Sequence, residues 1–296
     1  MEPNYTQVLR AEIKPVPRPS LLLGMAHTLY HGQFRRWFGI MAPTSLLAGI
    51  ILVLADQRIK AISRSIPRGE FASHFPDILT MGVIRFGAFF LSWLLGAFAL
   101  AATATVISEL DTGNEDENWN RDSYQRAREC LRPIIGIAAI TFCLFLLGLV
   151  GVGFVESAAL RIFGGARFLR YNYPFWLISY VVIAAVVSWL GASVPLVLRR
   201  DAKISIALKK SVELSSGYEA ALLLLVVESV VGSLIAWYTV VHGLPLLLPS
   251  IWTYRPWYVW VLNLTGILAS AVVEPPLFIG FALLADPDRF RAGDVT

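Results

Sequence analysis

The sequence predicts an all-α fold: a polytopic membrane bundle of six transmembrane helices with two cytoplasmic interfacial helices. Three observations predict it. Hydrophobic residues make up 56% of the 296 residues and charged residues only 16%, where soluble domains carry about 25% charged residues. Mean hydropathy is +0.62. Apolar runs of about 20 residues, the length that crosses about 30 Å of hydrocarbon, recur along the chain. These runs are continuous and rich in Leu, Ala and Val, whereas barrel strands would be short and alternating. The composition excludes a disordered chain, a disulfide scaffold and a soluble nucleic-acid binder.

The chain divides into a cytoplasmic tail with an interfacial helix (1–37), a six-helix transmembrane domain (38–284) and a second cytoplasmic tail (285–296). The first 20 residues are polar and proline-bearing, with no apolar core of a signal peptide, so the first span is expected to act as an uncleaved anchor. The stretch 21–37, LLLGMAHTLYHGQFRRW, has apolar residues at helical spacing and ends in Arg-Arg-Trp, the pattern of a helix lying on the membrane surface. The expected spans are 38–55, 79–107, 133–155, 174–198, 219–241 and 258–284. The second exceeds the needed length and is read as tilted.

Between them, 111–118 (DTGNEDEN) reads as an acidic turn and 119–132 as a cytoplasmic helix. The segment 203–216 (KISIALKKSVELSS) is the second interfacial helix, closed by Gly217. The segment 243–257 is Pro- and Trp-rich and reads as an outer cap in the headgroup layer, with Trp252, Tyr254 and Trp257 as belt residues. Lys and Arg are about twice as frequent in the segments on the side of both termini, which places the termini in the cytoplasm. The net charge of +4 is accordingly assigned to basic residues meeting anionic headgroups on the cytoplasmic side. Cys130 and Cys143 form no Cys-x-x-Cys pair and are expected to stay reduced.

Charges within spans carry the most information, because each costs about 2.5–3.5 kcal/mol on insertion scales unless paired. Arg85 lies on the outer half of the second span and Glu156 closes the third on the same side; a charged gate is the functional reading, and an intramembrane Arg85–Glu156 ion pair or an arginine snorkelling outward the structural one. Glu228 and Glu274 lie on sequential spans at equal depth, about 14–15 Å from the cytoplasmic face at 1.5 Å per residue. Together they are a candidate site for an ion or a proton. Two separate glutamates, each hydrogen-bonded to Ser229, Ser233, Thr265, Ser270 or backbone, are the structural alternative. Pro275 and Pro276 follow Glu274 and remove two backbone donors, predicting a helix break. A broken span beside a buried carboxylate is a transporter pattern, and equally that of an ordinary kink.

His27 and His31 stand at i, i+4, a spacing that can hold a metal. No carboxylate or cysteine accompanies them locally, so no metal and no cofactor is expected. The sequence contains no H-E-x-x-H, G-x-S-x-G or Walker A motif and no aspartate cluster. No catalytic residue is therefore assigned.

Two segments carry a family resemblance. Gly24, Tyr30 and Phe34 form a G-x5-Y-x3-F pattern leading into an apolar span with a proline, and 207–217 reads ALKKSVELSSG. Together they resemble the membrane domain fused to some bacterial glycerophosphodiester phosphodiesterases and its stand-alone relatives. The resemblance implies a multi-span bacterial inner-membrane protein. It carries over no hydrolytic residue, because the soluble barrel of those fusions is absent here. The Ser211, Leu214 and Gly217 spacing is expected to serve helix packing and chain reversal. The expected function is non-enzymatic: an accessory subunit or scaffold of a membrane complex, in contact with membrane lipids and other membrane proteins and not with nucleic acid. The alternative is a small transporter or lipid-handling protein that uses the buried carboxylates.

Overall fold

A computed structural model gives the fold for residues 19–67, 73–109, 119–163, 188–200, 203–247 and 256–286. The described residues are helical throughout, apart from the turns that join the helices. In chain order the helices are α1 (Pro19–Gly32), α2 (Phe34–Ser65), α3 (Phe75–Glu109), α4 (Trp119–Glu129), α5 (Leu131–Phe163), α6 (Ser193–Arg200) and α7 (Ile204–Ser215). They continue with α8 (Glu219–Tyr238), a π-helical turn (Thr239–Gly243), the single turn α9 (Leu244–Leu247), α10 (Pro256–Ser270) and α11 (Pro275–Leu284).

Among the described residues, five stretches are long and apolar enough to cross a membrane: Phe34–Ser65, Phe75–Glu109, Leu131–Phe154, Glu219–Gly243 and Trp260–Leu284. The expected fourth span, 174–198, lies mostly outside the described residues. Its described end is a turn at 189–192 followed by α6. The helices outrun the apolar runs because backbone hydrogen bonding continues where hydropathy falls. Thus α2 carries Gln57, Arg58 and Lys60 on regular helix to Ser65. The segment 243–257 contributes the short α9, and 248–255 lies outside the described residues.

The hub is α3, which packs against α2, α4, α5, α6 and α11. Its C-terminal half reads ALAATATVI and is buried from Ala99 to Ile107. Small side chains there let several helices approach one axis, as membrane bundles require. Thr103 and Thr105 donate their hydroxyls back to the carbonyls of Ala99 and Ala101, at 2.9 and 3.1 Å, which satisfies them in an apolar setting. Around this half gather Ile279, Leu283, Leu222, Leu225, Ile134 and Leu196, all nearly or fully buried. The opposite half of the bundle shows its apolar side chains outward: Leu79, Val83 and Phe86 on α3, and Leu147 and Phe154 on α5. Such a surface suits lipid, not water.

The two segments expected to be surface helices contain helices, α1 and α7, and each buries part of its apolar side on protein. α1 packs on α11, α8 and α2, with Leu22 and Ala26 fully buried. α7 packs on α6 and α5 through Ala207, Ser211 and Ser215. The Ser211 and Ser215 hydroxyls both donate to the carbonyl of Trp189, at 2.8 and 3.2 Å. Gly217 ends this segment at φ +95°, a left-handed conformation that favours glycine. Its amide donates to Glu219 Oε2 at 2.9 Å.

Candidate functional site

The site is built on the break between α10 and α11. The carbonyls of Ala271 and Val272 would receive amide hydrogens from residues 275 and 276 in a continuous helix, but both are proline. The chain instead makes tight turns, with Val272 N donating to Ala269 O at 3.2 Å and Val273 N to Ser270 O at 2.9 Å. Helix α11 then restarts with Pro275 at its first position, where a proline fits, and Glu274 as its N-cap residue. The Tyr30 hydroxyl of α1 donates to the Val272 carbonyl at 2.5 Å. The phenol is pushed above its ordinary range by burial first and by the Glu228 carboxylate second. It therefore remains a donor at neutral pH.

A related contact is found near a proline inside α2. Pro43 lies inside α2, which continues through it. One helical position further on from the carbonyl it orphans, the Ile40 carbonyl accepts a very short hydrogen bond from the Tyr124 hydroxyl of α4. The Thr44 hydroxyl also reaches that carbonyl at 3.3 Å, and that of Met41 at 2.9 Å. Burial pushes the Tyr124 phenol up to about 12, partly offset by its hydrogen bond with Thr44. Helices outside the spans thus supply tyrosine hydroxyls near Pro43 and near Pro276.

His27 Nε2 of α1 lies 3.1 Å from Glu228 Oε2 of α8, with side chains 35% and 43% exposed. His31 stacks beside His27 at a ring separation of 6.4 Å, and the Tyr30 ring lies 5.1 Å from that of His31. Among the described residues no group of three or more His, Cys, Asp or Glu side chains is placed to hold a metal ion.

The depth of Glu274 follows from the packing of α8 against α10 and α11. A side chain added at Gly232 would meet Val273, one at Gly280 would meet Leu225, and one at Gly266 would meet Trp237. The Ser270 hydroxyl donates to the Ser233 carbonyl at 3.2 Å. These contacts set an antiparallel register in which Glu274 stands level with residues 229–231. Glu228 and Glu274 therefore lie within about one helical turn of each other in depth. The partner that the structure gives Glu228 is nevertheless His27, from a third helix. Beside the break, the Ser233 hydroxyl is buried with no hydrogen-bond partner among the described residues.

Arg85 lies on α3 with its side chain exposed. Glu156 is on α5 at a position whose side chain lies outside those described, so the candidate pair Arg85–Glu156 does too. Sequence reasoning missed the joining of His27 to Glu228 and the two tyrosine caps. Each tyrosine caps a span that is distant in sequence, 242 residues away for Tyr30 and 84 for Tyr124, so no local pattern announced the caps. Compared with known proteins, the chain matches no protein-family model, no curated protein and no solved structure.

Proposed function

We propose that the chain is a non-enzymatic, multi-pass protein of the bacterial inner membrane, with both termini cytoplasmic, and that it moves a small ion or lipid-like solute. The working site is the junction where α1 covers the break between α10 and α11. The observation that carries this reading is the His27–Glu228 pair set on that junction, within about a turn in depth of Glu274. The apolar contacts of Leu22 and Ala26 already hold α1 in place, so the fold does not need the pair for packing. A helix break where the Ala271 carbonyl has lost its helical donor, a carboxylate at its N-cap and the partnerless Ser233 hydroxyl support binding of a cation or a proton.

A second reading, an accessory subunit or scaffold, is favoured by one observation. The outward apolar faces of α3 and α5 are broad and aromatic, with Phe86, Phe89 and Phe154 more than half exposed or nearly so. Such faces serve a partner helix as well as lipid.

The test is ion flux into proteoliposomes carrying the full chain, with a pH-sensitive dye inside and a potassium diffusion potential applied. Glu228→Gln and Glu274→Gln are expected to fold as the parent does and to lower the flux at least tenfold. Folded variants with unchanged flux sink the carboxylate site. A stoichiometric partner in polymer-extracted native membranes, without intrinsic flux, moves the assignment to the subunit reading.

A further inference from the structure

At the far end of α2, between this helix and α10, lies a cleft of about 620 Å³. Leu52, Val53 and Ile267 form its apolar part, and Lys60, Arg64 and Trp260 its polar rim. Along the lining face of α2 the character changes from Leu52 to Arg64, which is about 18 Å of helix. Asp56 pairs with Lys60 at 2.6 Å, while Arg64 makes no ion pair among the described residues. The lining thus keeps one net positive charge.

This placement is unusual on charge grounds. Basic residues collect on the cytoplasmic side of membrane proteins, yet Arg58, Lys60 and Arg64 sit on the span end opposite the α1 side. A cleft that runs from apolar to cationic along the membrane normal matches one kind of molecule. Its tail lies along hydrocarbon and its head carries a negative phosphodiester. A free anion would leave the apolar part unused, and an apolar ligand would leave Arg64 unused.

We propose that this cleft binds an anionic phospholipid in the leaflet opposite α1, with the headgroup phosphate held by Arg64 and Lys60 and the glycerol and chain lying on Leu52, Val53 and Ile267. Trp260 supplies an indole at the headgroup level, where such rings settle. The site is independent of the His27–Glu228 junction.

The test is native mass spectrometry of the full chain exchanged into an equimolar mixture of phosphatidylglycerol and phosphatidylcholine. The parent is expected to retain phosphatidylglycerol in at least threefold preference. Arg64→Gln with Lys60→Gln should abolish the preference. Both side chains are exposed, so folding should survive. Ala61→Trp keeps both charges and fills the cleft, and should abolish retention equally. Charge variants that lose the preference while Ala61→Trp keeps it would show general surface attraction and overturn the proposal. So would displacement of the lipid by millimolar inorganic phosphate, which would mark a free-anion site. Glu228→Gln should leave lipid retention unchanged.

Discussion

The Tyr30 hydroxyl sits 2.5 Å from the carbonyl oxygen of Val272, the same carbonyl whose helical donor is missing because residue 276 is proline. A helix outside the spans thus replaces one hydrogen bond inside a broken one. In hydrocarbon no water can do this, so the replacement sets where α1 must lie.

The replacement can be measured. Tyr30→Phe leaves the carbonyl unsatisfied and should cost about 1–3 kcal/mol. Pro276→Ala restores an amide hydrogen at position 276, so Tyr30→Phe should cost clearly less in that background. Unfolding of the four proteins of this cycle in mild detergent gives the coupling. An equal cost of Tyr30→Phe in both backgrounds would show that the hydroxyl does not stand in for the lost donor.

Tyr124 makes the corresponding contact near Pro43, and here pH provides the probe. Its phenol is raised to about 12 by burial, against an ordinary value near 10. A phenol raised in the folded state contributes stability that is whole below pH 10 and is lost as pH rises from 10 through 12. The absorbance at 295 nm of the parent minus that of Tyr124→Phe should therefore titrate near pH 12. A difference curve centred at 10 would mean that the phenol is open to solvent and the α4–α2 contact is absent.

How far these features could be read in advance depends on which coordinate they need. Span positions need only hydropathy, and five stretches of helix fall where the apolar runs put them. The segment 174–198 stands apart, because most of it lies outside the described residues. In the register of α8 against α10 and α11, Glu228 and Glu274 come within a turn of each other. Azimuth was not legible. Equal depth suggested a Glu228–Glu274 pair, but Glu228 turns to His27, and the rotation introduced at the prolines cannot be deduced from spacing. Periodicity showed that α1 and α7 have apolar faces, yet the same pattern serves lipid and protein alike. Leu22 and Ser211, both fully buried, show that these faces meet protein. The residues read as packing and reversal elements fit that role: Ser211 bonds Trp189, Leu214 packs against the core, and Gly217 holds a positive φ.

Two glycines should respond oppositely to alanine. At Gly191 a Cβ would fall 2.5–2.6 Å from three ring carbons of Phe281, a rigid and buried neighbour. Gly191→Ala should cost about 1–3 kcal/mol, and adding Phe281→Leu should cost less than the separate effects combined. At Gly24, inside α1, a Cβ meets nothing within 4 Å. Gly24→Ala should stabilise by about 0.5–1 kcal/mol through helix propensity. Melting temperatures in one detergent compare them. A loss at Gly24→Ala would mean that this face of α1 is covered in the assembled protein.

The last prediction concerns what holds α1 down. The His27–Glu228 pair has both side chains more than a third exposed, so its coupling should be about 0.5–1 kcal/mol. Leu22 is fully buried, and truncation of such a leucine costs about 2–5 kcal/mol. Apolar burial should therefore dominate the attachment, with the ion pair setting orientation and chemistry. Hydrogen exchange of the α1 amides is expected to accelerate strongly in Leu22→Ala and only slightly in His27→Gln. That ordering is what lets the pair break and re-form without releasing the helix. Should His27→Gln free α1 as much as Leu22→Ala does, the pair is a structural clamp, and its use in ion handling would be excluded because each breaking of the pair would open the fold.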